Sequence, residues 1–525
     1  MLQPENLVPL SDAERQLFTQ LTPEDHFLRQ LVQIVDFESF RPVLATVYCP
    51  DDGRPPLDPV FMLKLEILAL HYRLSDRELM RQAQVNVAYR LFLGLSCTSP
   101  LPHHTSMTYF RDRVGAERMR EIFHVVLGRA REMGLVRHRL RLKDATHVIA
   151  NIAVPSTIRL VAETRDRLLK ALTPFAAERV AEQRQRAEAI RLASDDLPDQ
   201  ERLLRRVAHL QAVLAWADGV PQETAFAAAD ASCQDMLRSA LALAHKVLAD
   251  RADPKAGDKV LSVHDADARC GKHGAFYDGY LVDIAMDADS ELITGVNVLP
   301  ANGDEGGDAA YLIAQEQTAQ GVTVEAVSID GAGYRGPVLR ELTDPEGLNL
   351  EVFTPPSQRI PLTVFGPEQF RRGADGVTLT CPAGQTTTQH QRNGNGTGEK
   401  YRFSSKQCGS CGMREQCLAD PATKGGRTVI KNDYEAEYRA ADAKARTPEY
   451  AEVRKKHPAI ERKLSELVRR HDLRHARYRG LSKVLRQGWL TALVVNLKRL
   501  VRLITNKALD AASTGTVRAA LALAR

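Results

Sequence analysis

Between Arg137 and Pro356 the hydrophobic pattern switches between a two-residue and a helical period, and that succession constrains the fold more than any other feature. The run RHRLRLKDATHVIANIA (137–153) alternates and is rich in Leu, Val and Ile, which predicts a strand with Asp144 near its middle. From Val154 to about Lys255 the pattern is helical and rich in Ala, Arg, Gln and Glu, as in ERVAEQRQRAEAIRLA, so a long helical insertion is expected, with a hairpin as one arrangement. After the break at PKAGD come three strand-like runs, KVLSVHD (259–265), GYLVDIAMD (279–287) and LITGVNVLP (292–300). A helix (309–320) leads to a strand, VTVEAVSID (322–330), then the turn GAGYRG, a short helix and a fifth strand, NLEVFTPP (349–356). Three strands, then helix, strand, helix, strand describes an α/β core, α+β overall, built on a mixed sheet.

The 525 residues exceed one typical domain. Ahead of the core, residues 1–48 show short helical periods broken at Pro23 and Pro42, and PDDGRPPLDP (50–59) is a rigid polar break. Val60 to Leu95 is helical by pattern, with Ser75 as an N-cap and Glu78 three residues on. SPLPHHTSMT separates it from a basic helix, Tyr109 to Met133. These helices fit either a helix-turn-helix DNA-binding domain or a bundle that only packs. Met1 to Gln20 lacks a secretory signal, and the apolar run Trp489 to Val495 is too short to span a membrane, so a cytoplasmic protein is expected.

Charge is unevenly placed. The chain sums to +5, yet Arg454 to Arg525 holds 18 Lys and Arg against four acids, which leaves −9 on the residues before it. A basic end of this kind suits a polyanion, and nucleic acid is the commonest one. Arg469, Arg470, Arg474, Arg477 and Arg479, with Tyr478 among them, are spaced to grip phosphates, while Leu490 to Leu503 should pack back on the sheet.

Asp330 closes a buried-looking strand before a glycine turn, where α/β proteins place their chemistry, and Asp144 sits on an earlier strand. If those strands are neighbours, the two carboxylates repel unless a divalent cation lies between them, and oxygen donors favour Mg²⁺ or Mn²⁺. Asp265 and Asp267 are rival acids that could instead cap a strand or pair with Arg269. Cys381, Cys408, Cys411 and Cys417 form C-x26-C-x2-C-x5-C in a polar, glycine-rich stretch. Four thiolates there can complete a tetrahedral Zn²⁺ site; the other reading is four reduced, unliganded thiols. No phosphate-cradling loop of the ATPase kind is present.

The stretches KDATHVIAN, HDADARCGKHGAFYDGYLVDIAMDAD, SIDGAGY and IERKLSELVRRHDLRHARYRG resemble the transposases of bacterial insertion sequences with a ribonuclease-H-like fold. RPPLDPVFMLKLEILALHYRLSDRELMRQ and PHHTSMTYFRDR look like that family's N-terminal domain, so the resemblance covers most of the chain. It implies a DDE triad of metal-binding acids at Asp144, Asp330 and Glu461, with the Asp-Gly-Ala-Gly-Tyr turn (330–334) as the most specific match. HisAspAlaAspAlaArg (264–269) matches a recurrent family stretch, which gives Asp265 and Asp267 a supporting role. Related transposases often carry Tyr, Arg and Lys seven before, four before and seven after the glutamate; here Arg454, His457 and Val468 stand there. Glu466 is the alternative glutamate, and helical projection puts Glu461 rather than Glu466 on the face of Leu464.

The organisation implied is a helical N-terminal DNA-binding-type domain (1–135) and a ribonuclease-H-like core (136–153 and 256–360). A helical insertion (154–255), a cysteine-rich insertion that is a candidate zinc module (361–430) and C-terminal catalytic and basic helices (431–525) complete it. The implied activity is two-metal cleavage at transposon ends, then attack of the 3′-hydroxyl on target DNA, by a homodimer on double-stranded DNA at the bacterial nucleoid. The alternatives are a metal-dependent nuclease without strand transfer, or a catalytically silent, transposase-derived DNA-binding protein.

Overall fold

The computed structural model describes residues 7–48, 57–137, 139–253, 255–357 and 363–513, with side chains to Lys507. The polar break at 50–59 lies outside the described residues up to Pro56, as do the last twelve residues of the basic end. The chain forms two compact units. One comprises Met1–Arg137, Asp144–Glu305 and Ile460–Arg525; the other comprises His138–Lys143 and Gly306–Ala459.

In the first unit, Asp58 caps the Pro59–His71 helix by accepting from the N–H groups of Val60 (2.8 Å) and Phe61 (2.9 Å). This helix is apolar on nearly every side and is buried accordingly. Its Glu66 is buried against Arg111 of the Thr105–Glu132 helix (2.5 Å), and Arg111 also grips Asp76 with two 2.6 Å bonds. Ser75 caps Asp76–Val85 as its position predicts, accepting from the Glu78 N–H.

The same unit holds three antiparallel strands and the later residues of a fourth strand, β1 (Leu140–Ile149). Strand β2 spans Arg269–His273, β3 Ala275–Asp287 and β4 Ile293–Pro300. The long β3 pairs with β2 through its first half and with β4 through its second, and β1 lies on its other edge. Gly279 permits that approach: a Cβ there would stand 2.0 Å from the Val148 carbonyl oxygen. The Leu481–Ser513 helix covers β4, with Asn496 exchanging two 2.8 Å hydrogen bonds with the Ile293 backbone.

The expected helical insertion is present, but as four principal helices rather than a hairpin: Thr157–Leu172, Ala177–Leu192, Asp199–Ala217 and Ala231–Ala252. They share a core that includes Leu168, Leu172, Leu210, Leu214, Leu237 and Val247. KVLSVHD (259–265) is not a strand. Val260 and Val263 are drawn into that helical core and the Val260 N–H is held by Asp250 (2.8 Å), leaving only an isolated Ser262–Asp265 bridge.

In the second unit, the first residues of β1 pair in parallel with β5 (Ala326–Ser328), which pairs in parallel with β6 (Glu351–Phe353). Both later strands are shorter than the alternation predicts. Arg141 and Glu316 of the Asp308–Gln320 helix form a fully buried ion pair at 2.8 Å. Beyond 363 come two small three-stranded sheets, β7–β9 (Arg371–Arg372, Leu379–Thr380, Thr386–Thr387) and β10–β12 (His390–Arg392, Glu399–Arg402, Thr428–Lys431). No described helix is long and apolar enough to cross a membrane.

Candidate active site

Asp144 is half-buried on β1, and its Oδ1 accepts from the following backbone N–H, that of Ala145 (2.8 Å). It lies two residues after Leu142, the last residue of β1 in register with β5. Asp330 likewise lies two residues after Ser328, the partner of Leu142. The Asp330 side chain caps the short Gly331–Gly333 turn by accepting from the Ala332 N–H (3.1 Å). Its carbonyl accepts from the Thr354 hydroxyl (2.8 Å), so the aspartate is fastened through its backbone.

Arg454 and His457 hold the strand that leads to Asp330. The Arg454 guanidinium donates to Ser328 Oγ (3.2 Å) and to the Ile329 carbonyl (3.0 Å), and His457 Nδ1 meets Ser328 Oγ at 3.1 Å. Burial, with the charge of Arg454 acting the same way, pushes His457 down to about 4, so it is neutral at ordinary pH. These are the two positions, seven and four before Glu461, at which the resemblance leads to an expectation of Tyr and Arg. The offsets were the available signal; the strand-bracing role was not visible without the fold.

Glu461 is exposed in the first turn of the Pro458–His471 helix, and Leu464 is buried. Glu466 is half-buried and takes bonds from Lys498 (2.7 Å) and Lys463 (3.3 Å). Burial pushes its carboxyl up, but those two cations outweigh burial and hold it at about 2. Asp265 is buried, accepting from Tyr280 Oη (2.5 Å) and the Gly480 N–H (3.2 Å), while Asp267 accepts from the Leu481 N–H (2.9 Å). Both acids thus fix the entry to the Leu481–Ser513 helix. Arg269 pairs with Asp258 rather than with either of them.

Arg469 and Arg470 are exposed and line one depression with Arg462, Lys498 and Arg502. After His471 the chain leaves the helix, and Ile149 at the end of β1 bridges to His475. Arg474 donates to the His147 carbonyl (2.5 Å) and Arg479 to the Asn151 carbonyl (2.9 Å). The Arg477 N–H bonds Gln487, and the Tyr478 ring packs against Arg486 at 4.5 Å. Cys381, Cys408, Cys411 and Cys417 are half-buried free thiols lining one cavity. Burial raises the Cys417 thiol, with Arg427 acting the other way. Among the described residues no three His, Cys, Asp or Glu side chains are gathered to hold a metal ion.

Residues 16–113 match the family described as Transposase domain (DUF772), and residues 380–501 match Transposase DDE domain. The second match takes in the four cysteines, Glu461 and most of the basic end; Asp144 and Asp330 lie outside both. No solved structure matches the chain. DDE transposases are metal-dependent enzymes that act on DNA, and by these two matches the chain belongs to the DDE transposases.

Proposed function

We propose that this transposase cuts DNA at the ends of its mobile element and joins the freed 3′-hydroxyl to target DNA, with Asp144, Asp330 and Glu461 as ligands of Mg²⁺ or Mn²⁺. The observation that carries the reading is the parallel pairing of Leu142 with Ser328, each two residues before an aspartate. The donor chemistry fits: three carboxylates offer only hard oxygens, no described cation pairs with Asp330, and Glu461 faces solvent. Two such ions, when bound, supply Lewis acidity toward the phosphate and a lowered pKa for water.

The chain's own residues supply placement. Arg454 and His457 hold the strand end so that Asp330 keeps one position, and Thr354 holds its backbone. Arg469 and Arg470, with Arg462, Lys498 and Arg502 beside them, bind DNA phosphates. Arg474, Arg477, Tyr478 and Arg479 extend that contact along the segment after the helix. Joining two ends to one target requires two copies, so the working form is a homodimer on DNA.

The test is Mg²⁺- or Mn²⁺-dependent cleavage and joining of a labelled duplex carrying the element's own ends, with wild type against Asp330→Asn. Cleaved and joined products that vanish in the variant, with DNA binding retained, are expected. Cleavage without joining would identify a plain nuclease. Tight binding without chemistry in either protein would identify a DNA-binding regulator.

A further inference from the structure

The segment from Phe365 to Lys431 has too little core to hold itself together. Its buried apolar side chains are Phe370, Leu379, Tyr401, Phe403 and Val429, and its strands are two to four residues long. A set of that size normally needs disulfides or a metal. The side chains packed against this cluster include Cys381, Cys408 and Cys417, which with Cys411 line the cavity beside Phe365, Phe370 and Phe403.

Each cysteine is presented by a tight local structure. Cys381 opens a turn in which its carbonyl accepts from Gly384 N–H and its own N–H donates to Gln385 (both 2.9 Å). Cys408 lies on a short helix started by a Ser404–Gln407 capping box, and its sulfur accepts from the Arg427 N–H at 3.4 Å. Cys411 follows in the next turn, its carbonyl accepting from Arg414 N–H (3.1 Å), and Cys417 ends the Arg414–Cys417 helix. Two turns bearing thiols toward one apolar cavity, with a backbone N–H already aimed at a sulfur, suit a soft tetrahedral cation.

The segment is tied to the turn after Asp330. Lys431 is buried and donates to the Pro367 (2.9 Å) and Phe370 (3.1 Å) carbonyls, which fixes β12 to the cluster. The Glu435–Lys444 helix follows directly. Tyr438 Oη accepts from the Gly336 N–H (2.9 Å), Tyr334 donates to Asp442 (2.6 Å), and Arg340 pairs with Glu437 (2.5 Å). Gly336 permits this contact, since a Cβ there would stand 2.2 Å from the Tyr434 ring.

We propose that Cys381, Cys408, Cys411 and Cys417 bind one zinc ion as four thiolates, and that this ion staples the ribbon that braces the turn behind Asp330. The four thiols line one cavity without being gathered as ligands among the described residues, so binding requires them to draw together. Each thiol passes its proton to solvent on binding, and no redox step is involved. Zinc ligation stands whether or not Asp330 is catalytic; only the consequence for cleavage rests on the reading above.

The experiment measures zinc in the purified full chain, then replaces it with Co²⁺ and records the thiolate-to-cobalt absorption. About one zinc per chain and the intense bands of a tetrahedral tetrathiolate are expected. The double variant Cys408→Ser, Cys411→Ser should hold less than a tenth of that zinc, while Cys97→Ser, Cys233→Ser keeps it. Removing zinc from the wild type with a chelator should expose the 363–431 segment to protease, and adding zinc should protect it again, which separates metal loss from misfolding of the variant. A wild-type chain without zinc, disulfides among these cysteines by mass spectrometry, or unchanged zinc in the double variant would each overturn the proposal.

Discussion

Arg141 and Glu316 are both fully buried, so removing one carboxylate leaves a guanidinium without its main partner in a medium that solvates it poorly. Glu316→Ala should lower the unfolding free energy in urea by about 3–5 kcal/mol. The double change Arg141→Met, Glu316→Leu should cost much less; an equal loss in both would argue against the ion pair as the cause. Glu466 gives a second residue-level outcome. Its carboxyl is held near 2 in the folded chain against an ordinary 4.5, so it contributes stability that is complete above 4.5 and lost as pH falls toward 2. Glu466→Gln should flatten the fall in melting temperature across that window, measured by circular dichroism.

At the scale of elements, β1 was legible from its alternation, and β3 and β4 from apolar, β-branched runs bounded by breaks. Strand β2 was missed. Its RCGKH sequence has no alternation, and its place is set by antiparallel pairing with the start of β3, a contact that no local pattern records. KVLSVHD failed for the opposite reason: its valines are apolar because they cap the core of the helical insertion. The acids of the candidate site could be named from the sequence, but not the bracing by Arg454 and His457, which depends on Ser328 more than a hundred residues away. Gly279→Ala tests the tightest strand contact. It should cost at least about 1–3 kcal/mol of stability, visible as a lower urea midpoint, because the Val148 carbonyl lies on backbone that cannot step aside. An unchanged midpoint would show that β1 and β3 can separate freely there.

Across the whole molecule, the first unit is drawn from three separated stretches of chain, and histidines lie in the contact between its early and late parts. His71 and His471 have ring centroids 6.4 Å apart. Burial first, then the charge of Lys498, pushes them down to about 3 and about 4. Both are neutral in the folded state and take up protons more readily when unfolded. Stability should therefore be complete above about 6.5 and decline as pH falls toward 4, with the two imidazoles titrating late in NMR spectra. The same discontinuity governs how the protein is made. Trp489, Leu493, Val494 and Leu497 are buried on the helix that covers β4, with the Trp489 ring tilted against Phe123 at a centroid distance of 4.9 Å. A ribosome working at ordinary speed needs roughly 10 to 40 s after finishing β4 to deliver that helix, and for this interval the apolar faces of β4 and the Thr105–Glu132 helix stand uncovered on the nascent chain. Element copies interrupted by a late stop codon should thus yield insoluble protein rather than a weakened enzyme, with a chain ending at Ala459 found in the pellet after expression.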